Sequence, residues 1–426
     1  MRILKVIHGY PPLYSAGSEV YSQSICEELS KRHEVVVFSR EENPFAPDMT
    51  VRVTQVHPGL SVHLVNMPRA KDGYRHVELD ARFAELVRSF EPNVAHIGHL
   101  NHLSTGIVDV LERAGIPIVY TLHDFWLMCP RGQFLQRNFG QGRLHELCDG
   151  QEDRKCATTC YSSAFSGVDG RTIDEEGYWS KWVATRMDEM RGLVSSVDLF
   201  IAPSKYLRTR FIDEFGVEAS KVMYLDYGFP TEYLVATTKR DAYPKFRFGY
   251  IGTHIPAKGV NMLIEAFDGL GDAAELYIWG AKDHQSTAAL QAMAASRKGI
   301  HFMGAYVNQN LANEVFNRVD CIVVPSIWME NSPLVIHEAQ ACGIPVITAE
   351  AGGMAEYVQH QVNGLLFKHR SIEDLREQMH WACMHPKEIE RLGRRGYLFS
   401  TTGGVPSIVD HCAVLEDVYT QLIARS

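Results

Sequence analysis

The chain has 426 residues, 46% of them hydrophobic and 22% charged, with a formal net charge of −9 at pH 7. That length predicts two domains, and the composition is that of an ordinary soluble globular protein. The acidic balance without a long basic run argues against nucleic acid as a main partner. No stretch reaches the roughly 20 apolar residues that span a bilayer.

In chain order, Met1–His8 reads as one buried strand, too short and too interrupted for a secretion signal, so a cytoplasmic location is expected. Apolar runs place that strand at Ile3–Ile7 and predict others at Val35–Phe38, Val62–Asn66, Val94–Ile97, Ile118–Leu122, Leu199–Ala202 and Val222–Leu225. A second series follows at Phe246–Ile251, Leu276–Trp279, His301–Met303, Cys321–Val324, Val346–Thr348 and Leu365–Phe367. Helical spacing fits Val20–Leu29, Val260–Phe267, Ala288–Ala295, Leu311–Val319, Pro333–Cys342, Ile372–Met384 and the terminal Ile408–Ile423. Alternation of this kind predicts parallel α/β sheets. Tyr227–Pro244, with Gly228, Pro230 and Pro244, reads as the linker between two halves.

Several strand ends carry chemistry. Gly17 stands at the mouth of the first helix, where missing Cβ bulk and the helix N-terminus suit a phosphate; an ordinary strand-to-helix turn explains it equally. His123 ends another strand, and a neutral imidazole there could bond a sugar hydroxyl or a backbone carbonyl. Thr253 and Lys258 belong to a turn, Gly252–Gly259, that opens a helix. Tyr306 and Val307 follow a later strand. Glu330 and Glu338 flank the helix start at Asn331, Ser332, Pro333 and Leu334. Loop amides and a helix N-terminus after a parallel strand make an anion site, and two carboxylates on either side of it suit hydroxyl-rich groups such as a sugar and a ribose.

The segment 125–170 is a polar insertion with Cys129, Cys148, Cys156 and Cys160. It has too few apolar residues to pack its own core, so tethering by a metal is one reading, most naturally structural zinc. Free thiols, an iron–sulfur cluster and oxidised forms stay open beside it. Tyr178, Trp179, Lys181 and Trp182 follow; they suit packing of the insertion better than a membrane interface or a sugar acceptor. Arg69, Lys71, Arg75 and His76 form a basic segment that reads as a solvated loop, with anionic lipid as the other reading.

Together these motifs resemble the Glu-x7-Glu signature of retaining glycosyltransferases of family 4. The resemblance is carried by Glu330 to Glu338, by Gly343-Ile-Pro345-Val346 and by Gly352-Gly353. A subset of that family shares the start His123-Asp-Phe-Trp126 with Cys129-Pro-Arg-Gly132. The resemblance implies a GT-B fold, two Rossmann-like doubly wound domains with a cleft between them. Their expected extents are residues 1–228, with a terminal helix 406–426 returning to them, and 229–405. It implies that Glu330 and His123 act at the donor sugar and that Glu338 holds the ribose. Gly17, Lys258 and the amides of Asn331 to Leu334 would face the diphosphate, and Tyr306 and Val307 the base. The family pattern has an Arg where this chain has Thr253, which leaves part of the diphosphate contact unassigned, with His254 as a candidate. The implied partners are a nucleoside diphosphate sugar, UDP-linked by preference, and a glycan or lipid-linked glycan acceptor. Peripheral contact with the inner membrane face would suit such an acceptor. No cofactor is expected for catalysis. A non-catalytic sugar-nucleotide binding component and a GT-B epimerase remain rival readings.

Overall fold

The computed structural model describes residues 1–67, 73–137, 145–161, 173–235, 244–280 and 284–425. The chain divides into two compact units, Met1–Gly228 with Ile408–Ser426, and Phe229–Ser407. No helix among the described residues is long and apolar enough to cross a membrane.

The first unit is built on an eight-stranded sheet. Its strands are β1 (Arg2–Val6), β2 (Glu34–Glu41), β3 (Val51–His57), β4 (Leu60–Asn66), β5 (Val94–Ile97) and β6 (Ile118–Thr121), joined by β9 (Leu199–Ala202) and β10 (Val222–Tyr224). The spatial order is β10-β9-β6-β5-β1-β2-β4-β3. All pairings are parallel except β3 with β4. The runs Val35–Phe38 and Val94–Ile97 are buried along their whole length, His96 included, as befits strands of a parallel sheet covered on both faces. β3 was not legible as a strand: Val51, Val53 and Val56 are exposed on an edge, so burial leaves no mark on its pattern. The small hairpin β7 (Leu135–Gln136) and β8 (Glu146–Leu147) lies in the insertion.

The terminal helix Ile408–Ile423 belongs to this first unit. Buried polar bonds fix it there: Tyr21 Oη meets His411 Nε2 at 2.8 Å, and Tyr419 Oη meets His96 Nδ1 at 2.6 Å.

The second unit holds a six-stranded parallel sheet of β11 (Phe246–Ile251), β12 (Ala274–Trp279), β13 (Ile300–Gly304), β14 (Cys321–Val324), β15 (Val346–Ala349) and β16 (Gly364–Phe367). The order is β13-β12-β11-β14-β15-β16. Strand order reverses between β11 and β14, and in open α/β sheets such a reversal leaves a crevice at the carboxyl ends of the strands. The helices Val260–Phe267 and Ile372–Met384 lie where their spacing predicts. The expected helix Leu311–Val319 is instead a short one, Leu311–Glu314, followed by a turn, Phe316–Arg318.

Some readings meet the structure differently. Part of the linker, part of the cysteine segment, and Arg69 and Lys71 lie outside the described residues. Arg75 is no free basic contact, since it pairs with Asp109 and with Glu189. The insertion is not without an apolar anchor: Cys156, Cys160, Tyr161, Val183 and Met187 form a buried cluster with Trp179 and Trp182 against it. The aromatic pair therefore packs the insertion, while Tyr178 is exposed.

Candidate active site

In the second unit, the loops after β11 and β14 are locked together by close backbone approach. Gly259 has φ +69°, and a Cβ there would fall 2.0 Å from the Pro325 carbonyl oxygen. Ile327 N–H donates to the Ala257 carbonyl at 2.9 Å. Only glycine permits both the left-handed backbone and that proximity. The turn Pro256–Lys258 is thereby pressed against the loop that carries Glu330.

Lys258 Nζ donates to Glu330 Oε1 at 2.6 Å, and Ser326 Oγ donates to the same oxygen at 2.6 Å. Glu330 is buried, so these charge-assisted bonds compensate its desolvation. No donor among the described residues reaches Oε2. Lys258 Nζ also lies over the Trp328 ring, 5.7 Å from its centre. The loop is clamped from behind: Gly353 N–H donates to the Glu330 carbonyl at 2.8 Å. A Cβ on Gly353 would fall 1.3 Å from the Asn331 carbonyl oxygen, which explains the glycine pair Gly352-Gly353.

The helix expected from Pro333 runs Leu334–Ala341, with Pro333 as N-cap and no side-chain cap. Asn331, Ser332 and Pro333 are buried beside it. Its first-turn amides need a partner from elsewhere, which is the physical basis of an anion site. Glu338 sits on this helix, its carboxyl pushed up to about 7 by burial, with His337 opposing the shift. The negative charge of Glu338 adds to the burial that raises the Tyr306 phenol, so the two residues face one environment. Val307 is exposed, and its N–H donates to Glu314 Oε2 at 3.2 Å. The carbonyl of Thr253 accepts from Tyr250 Oη at 2.8 Å. His254 is buried, and its Nδ1 is bonded to Thr287 Oγ1 at 2.9 Å.

In the first unit, polar side chains gather at the carboxyl ends of β1, β5 and β6. His123 Nδ1 meets Tyr227 Oη at 2.6 Å, and the two rings stack. Burial, then the nearby Lys5 ammonium, holds His123 well below the usual imidazole range. That shift favours the uncharged imidazole. His99 faces Asp124 at 3.3 Å, and His8 faces Glu19 at 3.1 Å. Gly17 is the first residue of the helix Gly17–Leu29 and is exposed; the N-cap Ala16 offers no side-chain cap.

Three contributors escaped the sequence reading. Ser326 was visible beside the signature, but its bond to Glu330 is set by the loop's folding. Tyr227 was read only as linker. Lys5 interrupts an apolar strand, a signal that was there to be used. A Cβ on Gly98 would lie 3.2 Å from Lys5 Nζ and 3.4 Å from His123 Nε2, so both nitrogens converge on the space that glycine leaves. Lys5 Nζ is buried with no hydrogen-bond partner among the described residues.

The four cysteines do come together. Cys129, Cys148, Cys156 and Cys160 line one small cavity. Among the described residues, however, no group of three or more His, Cys, Asp or Glu side chains is arranged to hold a metal ion.

Comparison with known sequences agrees with this geometry. Residues 15–233 match Glycosyltransferase Family 4, and residues 239–399 match Glycosyl transferases group 1. The chain belongs to this family of glycosyltransferases. D-inositol 3-phosphate glycosyltransferase of Segniliparus rotundus is 24% identical to it over 408 residues, 90% of this chain and 80% of that one. A GDP-mannose-dependent monoacylated alpha-(1-6)-phosphatidylinositol monomannoside mannosyltransferase of Corynebacterium glutamicum is 27% identical over 240 residues, 52% of this chain and 62% of that one. An uncharacterized glycosyltransferase of Methanocaldococcus jannaschii is 30% identical over 119 residues, 27% of this chain and 30% of that one. Among solved structures, this glycosyltransferase is similar to sucrose-phosphate synthase from Thermosynechococcus elongatus, with a TM-score of 0.69 at 16% identity over 100% of both chains. Anabaena HepE in complex with UDP and glucose gives 0.68 at 17% identity, covering 98% of this chain and 99% of that one. These likenesses show the fold, two Rossmann-like domains of the GT-B class.

Proposed function

We propose that this glycosyltransferase moves a sugar from a nucleoside diphosphate sugar to a hydroxyl of a glycan or lipid-linked glycan, with retention at the anomeric carbon. The observation that carries the reading is the triad of Glu330 with Lys258 and Ser326, held beside an uncapped helix start at the β11–β14 switch point. In this reading Lys258 and the first-turn amides take the charge of the diphosphate as it leaves. Electrostatic stabilisation of this kind is commonly the largest catalytic term. Glu330 Oε2 accepts from a sugar hydroxyl, and its charge favours the positive character that develops at the anomeric carbon. Glu330 orients and does not attack. The bond from the anomeric carbon to the phosphate oxygen breaks, a bond to the acceptor oxygen forms on the same face, and the acceptor proton passes to the leaving phosphate. Lys258 and the amides supply the positive charge that a bridging divalent cation gives in other enzymes.

Glu338 suits the ribose, since a half-buried carboxylate gains most from two adjacent hydroxyls. UDP-sugars are the favoured donors; GDP is the comparator, because the Corynebacterium relative is named as GDP-mannose-dependent. A lipid-linked acceptor would bring the enzyme peripherally to a membrane from the cytoplasmic side. The test is calorimetric titration with UDP and GDP, followed by turnover of the matching nucleotide sugars with and without candidate acceptors. Release of nucleotide only with acceptor, and an α-linked product from an α-linked donor, is the expected result. Donor isomerisation without acceptor would instead make the protein an epimerase. Tight binding without turnover on any acceptor would make it a binding component.

A further inference from the structure

The insertion holds a second constellation that the sugar chemistry does not use. Its four cysteines come from separate places: Cys129 from the turn beyond β6, Cys148 from just after β8, Cys156 from the end of the short helix Asp153–Cys156, and Cys160 from the turn that follows it. All four are free thiols. Cys129, Cys156 and Cys160 are buried and Cys148 partly so. Together they line one cavity of about 10 Å³. A space of that size holds about one water-sized sphere, which suits a single ion and is too small for an organic ligand or a multi-iron cluster.

Charge points the same way. The side chain of Arg186 is 1% exposed, a cation taken out of water. Its guanidinium donates to the Trp126 carbonyl at 2.6 Å and lies 4.7 Å from the centre of the Trp126 ring. No carboxylate among the described residues pairs with it. Arg131, which lines the cavity, lies over the Tyr161 ring at 5.9 Å. Arg131 is only partly buried, whereas Arg186 is fully so; a buried charge without close pairing is costly, and the Asp124 carboxylate acts on Arg186 without pairing with it. Four neutral thiols add no negative charge. Four thiolates around one divalent cation leave two negative charges.

We propose that Cys129, Cys148, Cys156 and Cys160 bind one divalent transition-metal ion, zinc by the softness and number of the ligands, as a structural staple of the insertion. The thiols line the cavity without closing on it, so ion binding draws the sulfurs inward. The aromatic cluster around Tyr161, Trp179 and Trp182, the Arg186 bond to Trp126 and the Arg154–Glu176 pair also seat the insertion on the helix Ile173–Ser196. The proposal stands whether or not the sugar chemistry does.

The test is elemental analysis of the full-length protein purified without added metal, repeated after incubation with zinc and dialysis. The expected content is about one zinc per chain, released when a mercurial reagent titrates the thiols. In Cys148→Ser, the variant least damaging to packing, zinc should fall below roughly a tenth of an equivalent while circular dichroism keeps the α/β signature. Should Cys148→Ser fail to fold, the wild-type content and its mercurial release decide alone. Folded wild type with under roughly a tenth of an equivalent after zinc incubation overturns the proposal, whether the four thiols then titrate freely or prove to be disulfides. Zinc retained undiminished in a folded Cys148→Ser protein overturns it too.

Discussion

The two strand-end clusters are built on one α/β plan, yet they handle charge in opposite ways. In the second unit a buried carboxylate, Glu330, is bonded to an ammonium and a hydroxyl, so opposite charges are fixed before any ligand arrives. In the first unit burial works against charge: His123, His96 and His411 are all held below the usual imidazole range, and the Lys5 amine is pulled down to about 8, which still leaves it charged at pH 7. The difference follows from loop geometry. Gly259 and Gly353 bring the backbone of neighbouring loops close enough to fix an ion pair, whereas Gly98 leaves a gap into which Lys5 and His123 project. A fixed array of charge suits a diphosphate, and uncharged imidazoles suit hydroxyl groups.

The largest expected effect tests the fixed array. Glu330→Ala is predicted to lower turnover about a hundred- to a thousandfold, the usual loss when a preorganised electrostatic group is removed. Steady-state kinetics with a fixed acceptor measures it, and a loss below tenfold would leave Glu330 without a role in the reaction. Next, Lys258→Ala should weaken UDP binding about ten- to a hundredfold and leave uridine binding unchanged. Comparing the two ligands by calorimetry shows whether Lys258 grips phosphate; equal losses would mean that the loop has collapsed.

The effect of burial on charge in the first unit is tested through stability. Lys5→Met should raise the unfolding free energy by on the order of 1–3 kcal/mol at pH 7, because it removes a buried cation that has no hydrogen-bond partner among the described residues. Burial lowers the Lys5 pKa to about 8 from 10.5, with Cys26 opposing. Between those values the unfolded chain binds more protons, so stability falls as pH falls from 10.5 toward 8 and the penalty is complete below that. Urea unfolding should therefore show the Met variant ahead at pH 7 and level with wild type near the top of that window. An advantage equal at both pH values would mean a packing effect.

The smallest effect concerns Glu338. Its carboxyl is pushed up to about 7 from 4.5 by burial, so between these values the folded chain holds the extra proton and stability falls as pH rises. Glu338→Gln should thus melt higher than wild type at pH 8 and alike at pH 4.5. A difference that does not change with pH would place the origin outside this titration.

Much of this architecture could be read from the chain. Fully buried parallel strands announce themselves as unbroken apolar runs, and Glu330, Lys258 and the Gly352-Gly353 clamp stand in loops immediately after such runs. The edge strand β3 escaped because exposure on the sheet edge leaves no burial pattern. The break after Glu314 escaped because apolar spacing continues through Phe316 and Val319 while the backbone turns. Ser326 and Tyr227 escaped for another reason: their roles depend on which loop touches which, and contact of that sort has no local signature. Thr253 stands where the family pattern has an Arg, and nothing in the structure explains that substitution.

Division of labour between the two carboxylates is the central claim, and free UDP binding to Glu338→Ala and Glu330→Ala tests it most directly. A carboxylate bonded to ribose hydroxyls contributes on the order of 1.5–3 kcal/mol, so Glu338→Ala should bind UDP about ten- to a hundredfold more weakly. Glu330→Ala should bind it within about twofold of wild type, because its partner is the sugar and free UDP has none. Isothermal titration of both variants at pH 8, where the Glu338 carboxyl is ionised, gives the answer. Equal losses in the two variants would contradict the account.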